Sequence, residues 1–323
     1  MKILVAGGAG YIGSCCTQYL LDSGHEVVIY DSLVTGHRGA VDSRAIFVEG
    51  DLGDREQLFR TLSDYQPQGI IHFGAFIEVG ESMKYPGKYF GNNVAKALNL
   101  LDAAVAHGCP KIVFSSTAAV YGMPKTVPIP EDAETHPINP YGDSKLMVER
   151  ILYWYEQIHG LPYVALRYFN AAGATDAFGE DHAPETHLIP NILRAARDNE
   201  KEVKVFGDDY PTADGTCVRD YIHVLDLAAA HLLALQVDAV GSFNLGSGRG
   251  YSVKEIIDVT RDVTGLVVPY EVTSRREGDP PRLISDSSLA RRTLGWVPER
   301  DDIRMIVQSA WEWLQRHPEG YNE

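Results

Sequence analysis

Lys2-Ile3-Leu4-Val5-Ala6-Gly7-Gly8-Ala9-Gly10-Tyr11-Ile12-Gly13 opens the chain, and its reading decides the architecture. The apolar run from Lys2 to Ala6 has the pattern of a buried parallel strand. It runs into a turn that satisfies Gly-x-Gly-x-x-Gly from Gly8 and Gly-x-x-Gly-x-x-Gly from Gly7, then into a helical stretch, Ser14 to Ser23. Glycines there allow a tight turn, close backbone approach to a pyrophosphate, and close packing of helix on strand. The next strand, Glu26 to Tyr30, ends in Asp31, placed to accept hydrogen bonds from an adenosine ribose. A carboxylate at that point also repels a 2′-phosphate, which favours NAD over NADP. A glycine-rich turn without a ligand is the plain alternative. Strand, glycines, helix, strand and acid in that order argue for the nucleotide.

Beyond this unit, apolar strands alternate with helical patterns. Strands are expected at residues 45–50, 69–73, 111–115, 163–167 and 243–245, and helices at 54–64, 89–107 and 141–159. Such alternation predicts an α/β, Rossmann-type doubly wound parallel sheet. The regularity breaks near residue 171, where Gly, Asp and Pro cluster through 174–185 and again through 207–215, reading as loops. Helices resume at 188–198, 224–237, 253–264 and 303–316. We expect a nucleotide-binding domain over 1–170 and a smaller α/β substrate-binding domain over 171–323, with an approximate boundary and interleaved segments.

Composition narrows the classes. The 323 residues give room for a large core, and a formal net charge of −15 without a basic block argues against nucleic acid or anionic membrane as partner. No apolar run is long enough to span a membrane, and the first strand begins where a signal peptide would lie. The four cysteines, Cys15, Cys16, Cys109 and Cys217, form no Cys-x-x-Cys pair. The eleven histidines show no His-x-x-x-His spacing. We therefore expect no metal and a reducing cytoplasm.

Ile138-Asn139-Pro140-Tyr141-Gly142-Asp143-Ser144-Lys145 carries the chemistry. Spacing i, i+4 puts Tyr141 and Lys145 on one helix face, and an ammonium near a phenol favours the phenolate. Asn139 and Pro140 suit the cap and first turn of that helix. An amphipathic helix with a packed tyrosine and an exposed lysine is the bland reading. A third element joins them: the strand Lys111–Phe114 ends in Ser115-Ser116-Thr117, hydroxyls at the carboxyl end where ligands bind in such sheets. One of the three would complete a Ser/Thr-Tyr-Lys constellation, unless they only bond their own turn.

With these runs in place, the chain resembles the extended short-chain dehydrogenases/reductases over essentially its whole length, and within them the UDP-sugar 4-epimerases. The carriers are the glycine run, His72–Ser82 with its Val79-Gly80-Glu81-Ser82, Ser115–Gly122, Asn139–Lys145, Arg167-Tyr168-Phe169-Asn170 and Gly215–Val224 with Arg219-Asp220-Tyr221-Ile222-His223-Val224. The resemblance implies reversible interconversion of UDP-galactose and UDP-glucose at carbon four through a 4-keto sugar, with tightly held NAD as transient hydride acceptor. It implies Tyr141 as the proton acceptor, Lys145 as the group holding the nicotinamide ribose, and Thr117 as the hydroxyl on the reacting oxygen. Cofactor contacts map to Gly7, Gly10, Tyr11, Ile12, Gly13, Asp31, Asp51, Leu52, Phe73, Asn92, Tyr141, Lys145 and Tyr168. UDP-sugar contacts map to Thr117, Asn170, Leu188, Arg219, Arg276, Asp279 and Leu283. Two arginines suit a diphosphate and an aspartate suits ribose hydroxyls, although without the resemblance a solvated surface would explain both arginines and a turn before Pro280-Pro281 the aspartate.

Departures from the family pattern carry expectations of their own. Ile77 stands where some relatives have lysine, Ala75 where some have glycine, and His187 where some have asparagine; neither Asn99 nor Glu81 is an evident substitute for the lost charge. Leu283 occupies the place of a bulkier tyrosine that closes the sugar pocket in strict enzymes, so some tolerance of N-acetylated UDP-sugars is expected. A 4,6-dehydratase would need an acid pair where Ala118-Ala119 stand. A UDP-glucuronate 4-epimerase or decarboxylase and a non-catalytic NAD-binding regulator remain as alternatives. Related enzymes pair the helices corresponding to 89–107 and 141–159 into a homodimer, and Leu98, Leu101, Val105, Val148, Leu152 and Tyr155 are apolar beyond one stripe; fully buried helices would explain that equally well.

Overall fold

The computed structural model describes residues 1–108, 110–198, 202–276 and 278–321, so Cys109 lies outside the described residues. Six strands are laid down first: β1 (Lys2–Ala6), β2 (Glu26–Asp31), β3 (Ile46–Glu49), β4 (Gly69–His72), β5 (Lys111–Thr117) and β6 (Tyr163–Tyr168). Between them run α1 (Tyr11–Asp22), α2 (Arg55–Tyr65), the single turns α3 (Val79–Ser82) and α4 (Pro86–Tyr89), α5 (Lys96–Ala106) and α6 (Pro140–His159). The second half adds β7 (Asn170–Ala172), α7 (Leu188–Asp198), β8 (Val203–Phe206), β9 (Val218–His223), α8 (Val224–Gln236), β10 (Gly241–Leu245), β11 (Gly250–Ser252), α9 (Val253–Thr264), β12 (Tyr270–Thr273), β13 (Arg282–Leu283), α10 (Ser288–Leu294) and α11 (Ile303–Arg316).

The main sheet has seven strands in the order β10-β6-β5-β4-β1-β2-β3, every pair parallel. Apart from the edge strand β3, its strands are largely buried on both faces, which is why they read as continuous apolar runs rather than as alternation. One face packs against α1, α8 and α10 through Leu20, Leu227 and Leu294, and the other against α2, α5 and α6 through Leu58, Leu100 and Val148. The winding reverses between β1 and β4, and ligands of such sheets bind at that switch point, outside the carboxyl ends. Beside it, β9 pairs with β7, β11 and β13, while β8 pairs with β12. A separate core of Ile192, Ile256 and Trp311 joins α7, α9 and α11.

The single helix expected over 89–107 is interrupted. Residues Phe90–Ala95 form a π turn between α4 and α5. The cause is Asn93, almost wholly buried, whose side chain bonds the Phe76 N–H at 2.9 Å, the Phe76 carbonyl at 3.0 Å and Ser144 Oγ at 3.1 Å. Those long-range bonds hold a wider turn than local propensity would choose. Likewise α1 begins at Tyr11 rather than Ser14, because the glycine turn itself winds into the helix. The short strands β7, β8, β9, β11, β12 and β13 were absent from the sequence reading, since two to six residues give too little periodicity. Leu101, Val148 and Leu152 lie in the core, so they do not form a surface stripe.

Glu149 on α6 and Arg167 on β6 form a buried ion pair at 2.7 Å, joined at 3.0 Å by Ser242 Oγ from β10 and also by Ser116 Oγ. Removing one partner strands a buried charge. Glu149→Ala is expected to lower the unfolding free energy by about 3–5 kcal/mol, read from urea denaturation followed by circular dichroism.

Candidate active site

At the first turn, Gly7 has φ of +83°, and a Cβ there would lie 2.4 Å from the Gly74 nitrogen. A Cβ on Gly13 would fall 2.1 Å from the Gly7 carbonyl oxygen. These two positions need glycine for packing, with or without a ligand. Gly10 differs: its Cβ would meet nothing nearer than 3.7 Å. It caps α1 without any side-chain hydrogen bond, so the first-turn N–H groups of Tyr11, Ile12 and Gly13 have no capping side chain. Such a glycine-lined, uncapped helix start fits a pyrophosphate. Asp31, at the end of β2, receives the Ala9 N–H at 2.9 Å and the Leu33 N–H at 2.8 Å, one on each oxygen. Burial pushes its pKa up and these bonds pull it down, leaving lone pairs for ribose hydroxyls.

The other expected cofactor residues are distributed around the same edge. Asp51 follows β3, ion-paired to Lys96 at 2.6 Å, and the Leu52 carbonyl accepts from Asn99 at 2.8 Å. Phe73 follows β4 and lies against the His231 ring at 4.8 Å, while the Tyr168 hydroxyl bonds His231 Nε2 beneath it. Asn92 sits in the π turn, bonded to Asn93 at 3.1 Å.

Strand alternation divides the three hydroxyls at the end of β5. Ser116 turns to Glu149, while Thr117 receives the Ala119 N–H at 3.1 Å and faces Tyr141. Asn139 caps α6, its Oδ1 receiving the Gly142 N–H at 2.8 Å, and Pro140 occupies the first turn. The pair therefore stands at a helix start on the sheet's carboxyl edge. Lys145 is buried, with Nζ 2.7 Å from the Ser115 carbonyl and 4.9 Å from the centre of the Phe114 ring. Here the electrostatics differ from the sequence expectation. Burial raises the Tyr141 pKa, Thr117 opposes this, and the Glu78 carboxylate raises it further; Lys145 does not bring it down. Burial lowers Lys145 itself to about 7. Its neighbour His72 is held at about 3, chiefly by burial and then by Lys145. The chain alone thus presents a neutral phenol beside an ammonium close to losing its proton.

The remaining expected residues lie along β9 and its neighbours. Asn170 donates to the Asp220 carbonyl at 2.8 Å, and Leu188 opens α7. Arg219 pairs with Asp279, which were read as serving different parts of the ligand, and Arg276 lies 3.9 Å over the Phe206 ring. Leu283 is in register with Arg219 and packs on Val120, Ile129 and Leu146 beside Phe169. Asp220 itself is wholly buried and accepts from Ser247 N and Oγ, Gly248 N, and Ser285 N and Oγ at 2.6–3.0 Å. Sequence reasoning gave no role to Glu78, His72 and His231 as shapers of the site; the first two lie inside the quoted His72–Ser82 run, which could have flagged them, whereas His231 carries no local signal.

A doubly wound sheet with this first turn, and a Thr-Tyr-Lys group at the neighbouring strand end, defines a dinucleotide-dependent enzyme of the dehydrogenase type. The chain belongs to the NAD dependent epimerase/dehydratase family, whose sequence model matches residues 3–246. It is 51% identical over 329 residues to a UDP-glucose 4-epimerase of Lacticaseibacillus casei, covering 100% of this chain and 99% of the relative. A UDP-glucose 4-epimerase of Brucella ovis, solved in complex with NAD, superposes with a TM-score of 0.93 at 46% identity, covering 96% of this chain and 97% of that one. A Bifidobacterium longum UDP-glucose 4-epimerase, solved with NAD+ and UDP, gives 0.94 at 37% identity, over 99% and 100%.

Because Lys145 drops from 10.5 to about 7 on folding, the unfolded chain holds the extra proton between those values. The cost of the buried ammonium is therefore full below pH 7 and fades as pH rises towards 10.5. In nucleotide-free protein, Lys145→Met should raise stability by about 2 kcal/mol below pH 7, with the gain shrinking in alkali. Urea titrations across that range check it; an unchanged or lowered stability at neutral pH contradicts it.

Proposed function

We infer that this chain is an NAD-dependent isomerase that interconverts UDP-galactose and UDP-glucose at sugar carbon four through a 4-keto sugar. The observation that carries the reading is the placing of Thr117, at the end of β5, beside Tyr141 and Lys145 at the start of α6, on the strand edge that adjoins the glycine turn. It is supported by full-length relatives that are UDP-glucose 4-epimerases. These relatives do not favour a UDP-glucuronate enzyme or a non-catalytic regulator.

Bound NAD supplies the transient acceptor for the hydride of carbon four. The protein's work is done by its own residues. Gly7, Gly10, Tyr11, Ile12 and Gly13 present backbone to the pyrophosphate, and Asp31 accepts the adenosine ribose hydroxyls. Asp51 and Leu52 border the adenine, while Phe73, Asn92 and Tyr168 line the nicotinamide half. Lys145, with one donor on Ser115, has two left for the other ribose. Tyr141, neutral in the chain alone and ionised beside the positive charge of the bound nicotinamide, takes the proton of the 4-hydroxyl and returns it, and Thr117 holds that oxygen in line. Arg219 and Arg276 hold the diphosphate, Asp279 the uridine ribose, and Asn170 and Leu188 border the ligand. This assigns nucleotide binding to 1–170 and sugar binding mainly to 171–323.

Two wider assignments follow. Met147, Trp154 and Ile158 are exposed on one face of α6 at helical spacing, with Ile151 between them, and Leu98 is exposed on α5. A homodimer across α5 and α6 would cover them. Cys15, Cys16 and Cys217 are unpaired, which fits the cytoplasm, and among the described residues no helix is long and apolar enough to cross a membrane.

The test is incubation of the purified protein, without added NAD, with UDP-galactose, UDP-glucuronate and UDP-N-acetylgalactosamine in turn. UDP-glucose should form from UDP-galactose and reach one equilibrium from either side. Tyr141→Phe should slow it by about 10²–10⁴-fold. Inert UDP-galactose, even with NAD added, overturns the substrate assignment.

Leu283 sets the expected breadth. Leu283→Tyr should lower turnover of UDP-N-acetylgalactosamine relative to UDP-galactose by about tenfold, because a larger wall removes volume near the sugar. An unchanged ratio would show that Leu283 does not face the 2-substituent.

A further inference from the structure

We infer that Glu180, His182, Glu185 and His187 form a binding site for one divalent transition-metal ion, with zinc the best match. The four residues lie within eight positions of the loop between β7 and α7, a pattern Glu-x-His-x-x-Glu-x-His. Looking only for histidine and cysteine spacings misses it, because carboxylates alternate with the imidazoles. The expectation of no metal is therefore replaced here by a specific site.

Geometry makes the argument. One ligand atom from each residue lies within 4.8 Å of the other three. His187 Nδ1 is 2.8 Å from Glu180 Oε1 and 3.3 Å from Glu185 Oε1. His182 Nδ1 is 3.3 Å from Glu180 Oε1 and 3.8 Å from Glu185 Oε2. Donors about 2 Å from a tetrahedral zinc ion stand roughly 3.3 Å apart, so these separations suit a shared centre.

An ordinary cluster of ion pairs would give similar distances, but its N–H groups would point at its oxygens. They do not. His182 Nδ1, His187 Nδ1 and Glu185 Oε2 are all buried without a hydrogen-bond partner. Glu185 Oε1, in contrast, receives the N–H groups of Thr186 and His187, both at 2.8 Å. One oxygen orders the loop and the other faces the cluster.

Surrounding contacts hold the loop in this shape. Asn191 Nδ2 donates to the Glu185 carbonyl at 3.3 Å and the His187 carbonyl at 2.9 Å, and Thr186 Oγ1 donates to Glu78 at 2.7 Å. Charge fits too: two carboxylates and two neutral imidazoles balance a divalent ion. Two imidazoles with two carboxylates favour zinc over the all-oxygen preferences of magnesium and calcium. The ion would pin the loop where it meets both the Tyr11 ring, 6.3 Å from that of His182, and Leu188 at the start of α7.

The test does not depend on the sugar chemistry. Full-length protein is stripped with a chelator, dialysed, and titrated with zinc chloride or magnesium chloride; bound metal is measured after gel filtration, and thermal unfolding is recorded. Zinc should be retained at one ion per chain and raise the unfolding temperature, while magnesium does neither. Cobalt should give the visible bands of four-coordinate nitrogen and oxygen ligation. The double variant His182→Asn, His187→Asn should bind zinc at least about a hundredfold more weakly. Wild-type protein that retains no zinc and shows no thermal shift overturns the site, as does a folded double variant that binds zinc as tightly as the parent.

Discussion

The buried carboxylate of Asp220 is the constraint on which the ligand-facing half depends. Five donors from two separate stretches converge on its two oxygens: its own strand β9 is thereby locked to the loop after β10 and to the segment after β13. Burial pushes its pKa up while those donors pull the other way. Removing any one of them would leave a low-dielectric carboxylate poorly satisfied. Arg219 and Leu283 take their positions from this anchoring, since they are register partners on β9 and β13. The Asp220 main chain serves as well, because its carbonyl holds the Asn170 side chain.

The site combines this rigidity with local instability. Lys145 is buried and Tyr141 half-buried near Glu78 and His72, and no side chain supplies the lysine with a counter-charge. A core designed for stability would place an apolar side chain at 145. Retaining an ammonium there makes sense if its partner is a ligand, a stability cost of the kind expected where chemistry is performed.

Legibility in the sequence followed the range of the interactions. The glycine turn, Asp31 and the Tyr141–Lys145 pair are defined by spacings of a few residues, and could be read directly. So could α7, α9 and α11, whose bounds match the expected ones; α9 even carries a Ser252–Glu255 capping box. What stayed hidden depends on distant partners. The π turn at Phe90–Ala95 needs Phe76 and Ser144, and the Arg219–Asp279 pair spans 60 positions. Ser116 and Thr117 could have been separated by strand alternation alone. The lowered pKa of Lys145 could not, because it comes from packing.

The course of β10 has a mechanical consequence. After building β7, β8 and β9, the chain returns to the main sheet for β10, leaves for β11 to β13, then returns again through α10. No single hinge divides a molecule threaded in this way. Swinging the two sheets apart would mean peeling β10 from β6 and stripping donors from Asp220. A reacting sugar therefore turns over in a cleft that no hinge between the sheets opens, chiefly through the ligand's own rotatable bonds. The walls of that cleft, more than any closing motion, decide which sugars can complete the turn.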